Sequence, residues 1–344
     1  MYPIVFFVRK GIDMTQTTHT VQSGGLALHA VTRGQPSNPA MVLVHGYPDN
    51  HHVWDAVAER LSATFYVIAY DVRGAGQSEQ PKRVSDYRMP MLAADLKAVV
   101  DALIPNRSFH LAAHDWGSIQ SWESVTTSAL QGRIVSYSSI SGPSLDHMGF
   151  WMRKHLFSLS PGRVWKAIKQ LFSSWYIVFF QIPLLPALLW KVGVGKAWPW
   201  YLTVREDVNE PEINPTQVRD GVNGVRLYRA NFIPKFTKPQ RRYAHCPVQI
   251  IVPQRDYYVG TQLFSELTDW VEHLYRRDID ATHWLLLTHS ATVAQWISDF
   301  AHAMARGEET TELTQARISV PAPLPDANVT TMTPATSPSF FSAS

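Results

Sequence analysis

The sequence predicts an α/β protein built on a mainly parallel sheet, with a helical cap inserted into it. Strand patterns alternate with helix patterns over residues 20–145, which is typical of parallel strands joined by helical crossovers. Between residues 146 and 243 the alternation stops, and helix patterns rich in Trp, Phe and Pro follow one another. The alternation of strand and helix patterns resumes over residues 244–306. We therefore expect a core of residues 20–145 and 244–306, and a helical cap of residues 146–243.

The bulk composition limits the class of protein. With 344 residues, 45% of them hydrophobic and 17% charged, the chain can bury a sizeable core. A formal net charge of +3 without a dense Lys/Arg cluster argues against a nucleic-acid partner. Cys246 has no second cysteine to pair with, which favours a reducing compartment. We expect a cytoplasmic protein, with association at a membrane surface as the alternative.

Neither end of the chain contributes to the predicted core. Residues 1–19 are expected to be a disordered lead or an over-extended start, since Met14 offers a later one. Residues 307–344 are rich in Thr, Pro, Ala and Ser, which predicts a disordered tail or linker. The apolar stretch 175–190 is broken by Gln and Pro and is shorter than the ~20 residues of a membrane span, so no stable membrane insertion is expected.

The core elements follow from hydrophobic spacing. Short apolar runs rich in β-branched residues predict strands, because strands covered on both faces have this pattern. Apolar residues recurring at three and four predict helices. In chain order the strands are 26–31, 41–45, 65–70, 108–113, 134–140, 248–252 and 274–279. The core helices are 52–61, 87–103, 118–130, 264–271 and 290–305, and the cap helices are 150–159, 163–180, 184–192 and 215–230.

A sharp turn joins strand 108–113 to the following helix. Ala113 and Gly117 lie two residues before and two residues after Asp115, and small residues at these positions allow a strand to turn abruptly into a helix. Asp115 itself lies at the helix N-terminus, where the dipole and free N–H groups favour a carboxylate. An Asp that only caps the helix is the alternative. The rest of the chain favours a nucleophile.

Further polar motifs follow other predicted strands. They are the loop 45–48 (His-Gly-Tyr-Pro), Asp256 and His283. Ligands bind at the carboxyl ends of the strands in open parallel sheets. The order Asp115, Asp256, His283 is the order of nucleophile, acid and base in hydrolases with a strand–turn–helix nucleophile. Asp146, which follows strand 134–140, is the alternative acid.

These motifs resemble those of the epoxide hydrolases of the α/β-hydrolase fold, over residues 20 to 306. The resemblance is carried by the elbow 114–117, the loop 45–48, the turn 71–78 and the pair 283–284. It extends to the hydrolase part of mycobacterial-type epoxide hydrolases that are fused to a short-chain dehydrogenase. It implies a mostly parallel eight-stranded sheet flanked by helices, with the cap inserted after the sixth strand.

The resemblance also assigns residues. Tyr176, before a Phe-Phe-Gln-Ile-Pro run, and Tyr228, in a Tyr-Arg-Ala-Asn segment, match the two lid tyrosines that hold the epoxide oxygen. Amphipathic packing residues are the alternative for both. The expected pocket also includes His45, Pro48 and Trp284. Ser118 and Thr282 stand where the family commonly has glycine.

An Asp nucleophile suits particular chemistry. Attack on an acyl carbon gives a reactive anhydride, whereas attack on a saturated carbon gives an ester that water can hydrolyse. The hypothesis is that Asp115 opens an epoxide while Tyr176 and Tyr228 donate to the developing alkoxide. His283, oriented by Asp256, then activates water. The backbone N–H groups of Tyr47 and Trp116 form the expected oxyanion hole.

Other expectations concern the ligand. Six cap tryptophans predict an apolar pocket for hydrophobic, lipid-derived epoxides, which fits a role in detoxification: Trp151, Trp165, Trp175, Trp190, Trp198 and Trp200. Neither a metal nor an organic cofactor is expected, and the expected partners are the substrate, water and, for a homodimer, a second copy.

Two other functions stay open. A haloalkane dehalogenase uses the same nucleophile, and the Trp116 indole could bind halide, but the second halide donor of that family, often Asn, is replaced by Tyr47. A non-catalytic ligand-binding homologue is also compatible, because a fold does not settle a function.

Overall fold

The computed structural model describes residues 16–318, and its centre is a nine-stranded sheet ordered β1-β2-β4-β3-β5-β6-β7-β8-β9. The strands are β1 Thr17–Ser23, β2 Leu26–Arg33, β3 Ala40–Val44, β4 Tyr66–Tyr70, β5 Phe109–His114, β6 Ile134–Ile140, β7 Val248–Pro253, β8 Leu274–Ile279 and β9 Arg317–Ile318. Pairs involving β1, β2 and β9 are antiparallel and the others are parallel. The predicted fold class is confirmed, with nine strands rather than eight.

Helices cover both faces of the sheet. The core helices are α1 Asp55–Leu61, α2 Met89–Leu103, α3 Trp116–Val125, α10 Leu285–Thr288, α11 Ser290–Arg306 and α12 Thr311–Ala316. Strand β3 shows how the two faces are filled. Val42 and Val44 pack with α2 and α3, whereas Met41 and Leu43 pack with α1 and α11. Successive side chains of a strand point to opposite faces, so a strand covered on both sides is apolar throughout.

The cap lies between β6 and β7, after the sixth strand as predicted. Its helices are α4 Leu145–Leu156, α5 Pro161–Ser173, α6 Trp175–Phe179, α7 Leu185–Leu189, α8 Gly195–Arg205 and α9 Gln217–Thr237. The single helix predicted over 163–180 is therefore two helices. Helix α8, joined to α7 by a π-helical turn, was not predicted. Gly193 in the turn, Gly195 and Pro199 obscured the helical pattern.

The structure corrects three predictions at the edges of the core. Strand β1 begins at Thr17, so the last residues of the predicted lead belong to the sheet. Helix α12 and strand β9 fall in the predicted tail, where Leu313 is buried beside Phe300 and Tyr275. The helix predicted over 264–271 is two short 3₁₀ turns. Residues 1–15 and 319–344 lie outside the described part of the chain.

A buried ion cluster fixes the base of the cap. Lys235 Nζ lies 2.7 Å from Asp146 Oδ2 and 3.2 Å from Glu123 Oε2, and Arg242 Nη1 lies 2.8 Å from Glu123 Oε1. These residues come from the start of the cap, from α3, from α9 and from the segment that returns to the sheet. Asp146, the alternative triad acid, is paired with these cations rather than with His283.

None of the helices between residues 16 and 318 combines the length and the apolarity that crossing a bilayer requires.

Candidate active site

Asp115 stands at the elbow between β5 and α3 with φ 51° and ψ −124°, a backbone conformation that non-glycine residues rarely adopt. Close packing enforces it. A Cβ on Gly117 would lie 2.2 Å from the Val44 carbonyl oxygen, and one on Gly46 would lie 2.4 Å from Asp115 Oδ1. Only glycine leaves room for the Val44 carbonyl group and for the Asp115 side chain, so close packing explains both glycines of the motif.

The two oxygens of the Asp115 carboxylate have different neighbours. Oδ1 accepts a hydrogen bond of 2.7 Å from the backbone N–H of Tyr47. Oδ2 lies 3.6 Å from His283 Nε2. The side chain is largely buried, and it lines a cavity of about 690 Å³ beneath the cap. One oxygen is thus fixed by the loop after β3, while the other faces the imidazole.

Asp256 orients the imidazole of His283. Its Oδ2 lies 2.8 Å from His283 Nδ1, and its Oδ1 accepts the backbone N–H groups of Tyr258 at 2.8 Å and Val259 at 3.0 Å. Burial alone would raise the pKa of Asp256, but the charge and hydrogen bond of His283 and these two N–H groups outweigh it and lower the pKa. Asp256 is therefore held ionised.

The protonated form of His283 is stabilised by its two carboxylate neighbours. Burial would lower the pKa of His283, but the charge of Asp256 and the hydrogen bonds to Asp115 and Asp256 outweigh burial and raise the pKa well above its usual value. His114 supports the same loop, since its Nε2 lies 2.9 Å from the His283 carbonyl oxygen and donates to it. The imidazole is thus fixed through both its ring and its backbone.

Tyr176 on α6 and Tyr228 on α9 line the same cavity as Asp115 and His283. Their ring centroids lie 5.9 Å apart, with the rings edge to face. Burial first, and the nearby charge of Asp115, raise the pKa of both phenols. Both hydroxyls therefore remain protonated near neutral pH and can donate hydrogen bonds into the cavity.

The residues that flank Tyr228 explain its sequence motif. Arg229 Nε donates to the Phe180 carbonyl oxygen at 2.7 Å, which ties α9 to the end of α6. Asn231 donates to the Tyr87 carbonyl oxygen at 2.9 Å and accepts from the Met89 backbone N–H at 3.0 Å. The Tyr-Arg-Ala-Asn segment thus connects one phenol both to the cap and to the core.

The other predicted site residues differ in whether they line the large cavity. Pro48 and Trp284 line the large cavity, as does the ring of Tyr47. His45 does not, because its ring is turned toward the turn after β4, where Nε2 accepts the Val72 backbone N–H at 2.8 Å. Trp116 begins α3 beside Asp115, and its buried indole packs against the Tyr228 ring with centroids 4.8 Å apart.

Glu206 was not predicted from sequence, and it connects the cap to the His283 loop. Its Oε2 accepts the backbone N–H of His283 at 3.0 Å, and its carbonyl oxygen accepts the Thr282 hydroxyl at 2.9 Å. Thr282, where relatives commonly have glycine, therefore provides a hydrogen bond between core and cap. Glu206 is also the first acidic residue after residue 146, a signal the sequence did offer.

Asp49 and Tyr258 were missed as well. Asp49 directly follows the 45–48 loop, and its Oδ2 accepts the Trp284 indole N–H at 2.9 Å. Burial raises the pKa of Asp49 to about 7, although this hydrogen bond opposes the shift. Tyr258 places its ring 5.0 Å from the His283 ring. The sequence did offer a signal for each, since Asp49 directly follows the 45–48 loop and Tyr258 lies two residues after Asp256.

A second polar cluster lies outside the cavity. His29, His51 and Asp71 place potential ligand atoms within 4.8 Å of one another. Asp71 already accepts hydrogen bonds from both imidazoles, at 3.0 and 2.7 Å, and from the backbone N–H groups of His51 and Gln77, at 2.9 and 2.8 Å. A carboxylate with four donors is satisfied without a metal, so the cluster acts as a structural connection between loops.

The sequence of this chain is similar to those of known proteins. A family model described as alpha/beta hydrolase fold matches residues 39–290. A Mycobacterium tuberculosis protein named probable oxidoreductase EphD is 33% identical over 308 residues, covering 86% of this chain and 51% of the relative. Xenopus tropicalis epoxide hydrolase 3 is 27% identical over 295 residues, covering 81% and 76%. The chain spans about half the length of the EphD relative.

The structural neighbours have the same architecture. A Bacillus megaterium epoxide hydrolase, solved with an inhibitor, superposes with a TM-score of 0.69 at 19% sequence identity. The superposition covers 83% of this chain and all of that one. At this identity the likeness establishes the fold, and the chemistry has to be argued from the residues.

Proposed function

The chain belongs to the α/β-hydrolase fold family, and from that premise we propose that it is an epoxide hydrolase that converts an epoxide to a vicinal diol. One observation carries the proposal. The elbow holds a carboxylate, Asp115, and the cavity it faces is lined by two phenols, Tyr176 and Tyr228. An Asp nucleophile suits a saturated carbon, and phenols suit a departing ring oxygen. The relatives named epoxide hydrolases support the same reaction.

In the first step, Asp115 Oδ2 attacks a ring carbon of the epoxide. The carbon–oxygen bond of the ring breaks, and an ester forms between Asp115 and the substrate. Tyr176 and Tyr228 donate hydrogen bonds to the ring oxygen, on which negative charge develops. That oxygen then takes up a proton and becomes an alcohol. The raised pKa of both phenols matters here, because a phenolate could not donate.

In the second step, His283 Nε2 removes a proton from water, and the resulting hydroxide attacks the ester carbonyl. The bond between the carbonyl carbon and the substrate oxygen then breaks. That oxygen leaves as the second alcohol of the diol with the remaining proton of the hydroxide, and Asp115 returns to a carboxylate. The negative charge of Asp115 contributes to the raised pKa of His283 in the free enzyme. Forming the ester removes that charge, so the pKa of His283 falls and neutral imidazole becomes available. The imidazolium of His283 supplies the proton of the first step and forms again when His283 takes a proton from water, so the proton transfers balance over one turnover.

The backbone N–H of Tyr47 serves both steps. In the free enzyme it donates to Oδ1 of the nucleophile at 2.7 Å, so it holds the carboxylate for attack. In the second step the same oxygen becomes the oxyanion of the tetrahedral intermediate. Together with the Trp116 N–H this forms the proposed oxyanion hole, with each donor contributing ~3 kcal/mol.

The cavity favours a hydrophobic epoxide. Its volume is about 690 Å³, large enough for a long or bulky substrate. Aromatic side chains dominate its walls, among them Phe180, Trp190 and Trp198. We expect lipid-derived epoxides to be better substrates than small polar ones, and a substrate panel with diol detection ranks them.

The experiment that tests the mechanism is a single turnover in ¹⁸O-labelled water with enzyme in excess. The label should enter the Asp115 carboxylate and not the first diol released, because the diol oxygen comes from the enzyme. In His283→Gln, mass spectrometry should find the substrate attached to the Asp115 peptide, since the second step is blocked.

Matched variants complete this test. Asp115→Ala should form no adduct and no diol, while its thermal unfolding shows that it still folds. Direct labelling of the first diol would contradict the covalent mechanism. Halide release from haloalkanes without diol formation would support a dehalogenase instead, and tight epoxide binding without turnover would support a non-catalytic homologue.

A further inference from the structure

Charge is distributed unevenly along the chain. Between residues 147 and 205 there are eight Lys and Arg residues and neither Asp nor Glu. The whole chain has 31 basic and 28 acidic residues, so the rest of the molecule has an acidic excess. All eight cations are exposed, and within residues 16–318 only one of them, Lys154, forms an ion pair, with Glu266. The cap therefore presents a positive surface.

The same part of the cap exposes large apolar side chains. On α5, Ala167 and Gln170 are buried, and the opposite side of the helix carries Trp165, Lys169 and Phe172. Trp165 is 65% exposed and Phe172 is 75% exposed. An outward stripe that alternates aromatic and cationic side chains is unusual for a helix facing water alone. It is the composition of a helix that lies in a membrane interface.

The exposed aromatics also surround the mouth of the substrate cavity. Phe172, Trp175 and Trp200 line the cavity that contains Asp115, yet Trp175 and Trp200 are each 65% exposed. Lysines are adjacent to this rim, since Lys169 lies one turn before Phe172 and Lys196 precedes the lining residue Ala197. The apolar surface, the positive charge and the cavity mouth thus belong to one region, which we call the cap face.

We propose that the cap face docks on an anionic lipid bilayer, with its aromatic rim in the interfacial layer and its lysines at the headgroups. Anionic lipid attracts Lys and Arg close to its surface, and apolar side chains add binding by burial. A second copy of the chain fits this face poorly, because a symmetric contact would place lysines against lysines. A bilayer satisfies both the charge and the apolar surface.

Docking has a consequence for substrate access, and this part rests on the proposed function. With the mouth against the bilayer, a hydrophobic epoxide could pass from lipid into the cavity without crossing water. The docking itself depends only on the cap face. It can therefore be tested without substrate, so that failure of docking and failure of epoxide hydrolysis are distinguishable.

The experiment is cosedimentation of the full chain with vesicles. Vesicles of phosphatidylcholine alone are compared with vesicles that contain roughly one-third phosphatidylglycerol. We expect binding to the anionic vesicles, and raising the salt to about 0.5 M should weaken it, because exposed charges are then screened. Brominated lipids should quench part of the tryptophan fluorescence if the rim enters the interface.

Two charge-reversal variants make the test specific. Lys166→Glu/Lys169→Glu should weaken vesicle binding at least about tenfold. Arg60→Glu/Lys82→Glu makes the same change in net charge at exposed positions outside the cap and should retain binding. Thermal unfolding checks that both are folded, and both should hydrolyse a small water-soluble epoxide at the wild-type rate. Neither pair belongs to the cavity lining.

Three outcomes would overturn the proposal. In the first, the protein fails to bind anionic vesicles at low salt. In the second, both charge-reversal variants lose vesicle binding equally. In the third, the protein alone sediments as a concentration-dependent oligomer, and Lys166→Glu/Lys169→Glu abolishes that oligomer. The last would assign the cap face to a protein contact.

Discussion

The core and the cap hold the proposed catalytic groups in different ways. In the core, Asp115, Asp256 and His283 are fixed by directed hydrogen bonds, several of them from backbone N–H groups. In the cap, Tyr176 and Tyr228 are held mainly by packing among aromatic rings, such as that of Phe180. Hydrogen bonds restrict angle and distance, whereas apolar packing is non-directional. In the proposed mechanism, the core therefore sets the geometry of attack, and the cap holds its phenols less strictly.

The largest expected effect comes from removing the two phenols of the cap. Tyr176→Phe and Tyr228→Phe should each slow formation of the ester about 100-fold, and the double variant should lose more, because each removes a donor to the developing alkoxide. Stopped-flow measurement of single-turnover ester formation tests this. Tyr201→Phe, which removes a phenol from the same cavity, is the matched control and should stay within a few-fold of wild type. A double variant as fast as this control would exclude the phenols.

A smaller effect should appear in the pH dependence of core stability. The pKa of Asp49 is raised from 3.8 to about 7 in the folded protein. Between these values the folded state keeps a proton that the unfolded state has lost, so Asp49 makes the free energy of unfolding fall as pH rises from about 4 to about 7. Asp49→Asn cannot titrate and keeps an acceptor for the Trp284 indole.

Thermal unfolding measured across this pH range tests the effect. As pH rises, the melting temperature of Asp49→Asn should decline less steeply than that of wild type, and at pH 8 it should be about 2–4 °C higher. Asp278→Asn, at an exposed position of β8, should keep the wild-type slope. If the melting temperature of Asp49→Asn falls with pH as steeply as that of wild type, folding does not raise the pKa of Asp49.

The smallest effect concerns the contact between the two regions. Thr282→Val removes the hydroxyl that donates to the Glu206 carbonyl oxygen and should lower the free energy of unfolding by about 1 kcal/mol. Thr282→Ser keeps the hydroxyl and should lose less. Denaturant unfolding compares the two, and equal losses would show that the methyl packing contributes as much as the hydrogen bond. Turnover should change little, since Asp256 still orients His283.

Elements with local signals were predictable from sequence. Strands β6 and β8 were predicted at their observed bounds, because each is a short run between clear turns. Strands β1 and β9 were missed for different reasons. Strand β1 is a largely exposed, polar edge strand beside β2, whereas the two-residue β9 depends on β8, which is distant in sequence. Most of the cap was predicted to be helical, but α8 was missed and the ends of the other helices were wrong, because tertiary packing sets where they begin and end.

The candidate site shows the same division. Asp115, Asp256 and His283 each follow a predicted strand, so their proximity followed from the topology of a parallel sheet. Glu206 reaches His283 from the cap across 77 positions of sequence, and spacing alone cannot reveal such a contact. His45 looked like a pocket residue because of its neighbours, but its ring turns away toward Val72.

The position of the cap in the sheet has an evolutionary consequence. Strands β6 and β7 are direct neighbours, with Tyr137 opposite Val248, although the whole cap separates them in sequence. The insertion therefore leaves and rejoins the sheet at adjacent strands. A gene could lengthen, shorten or exchange this insertion without changing which strands pair. Substrate range can thus diverge among descendants while the proposed nucleophile, acid and base are inherited unaltered.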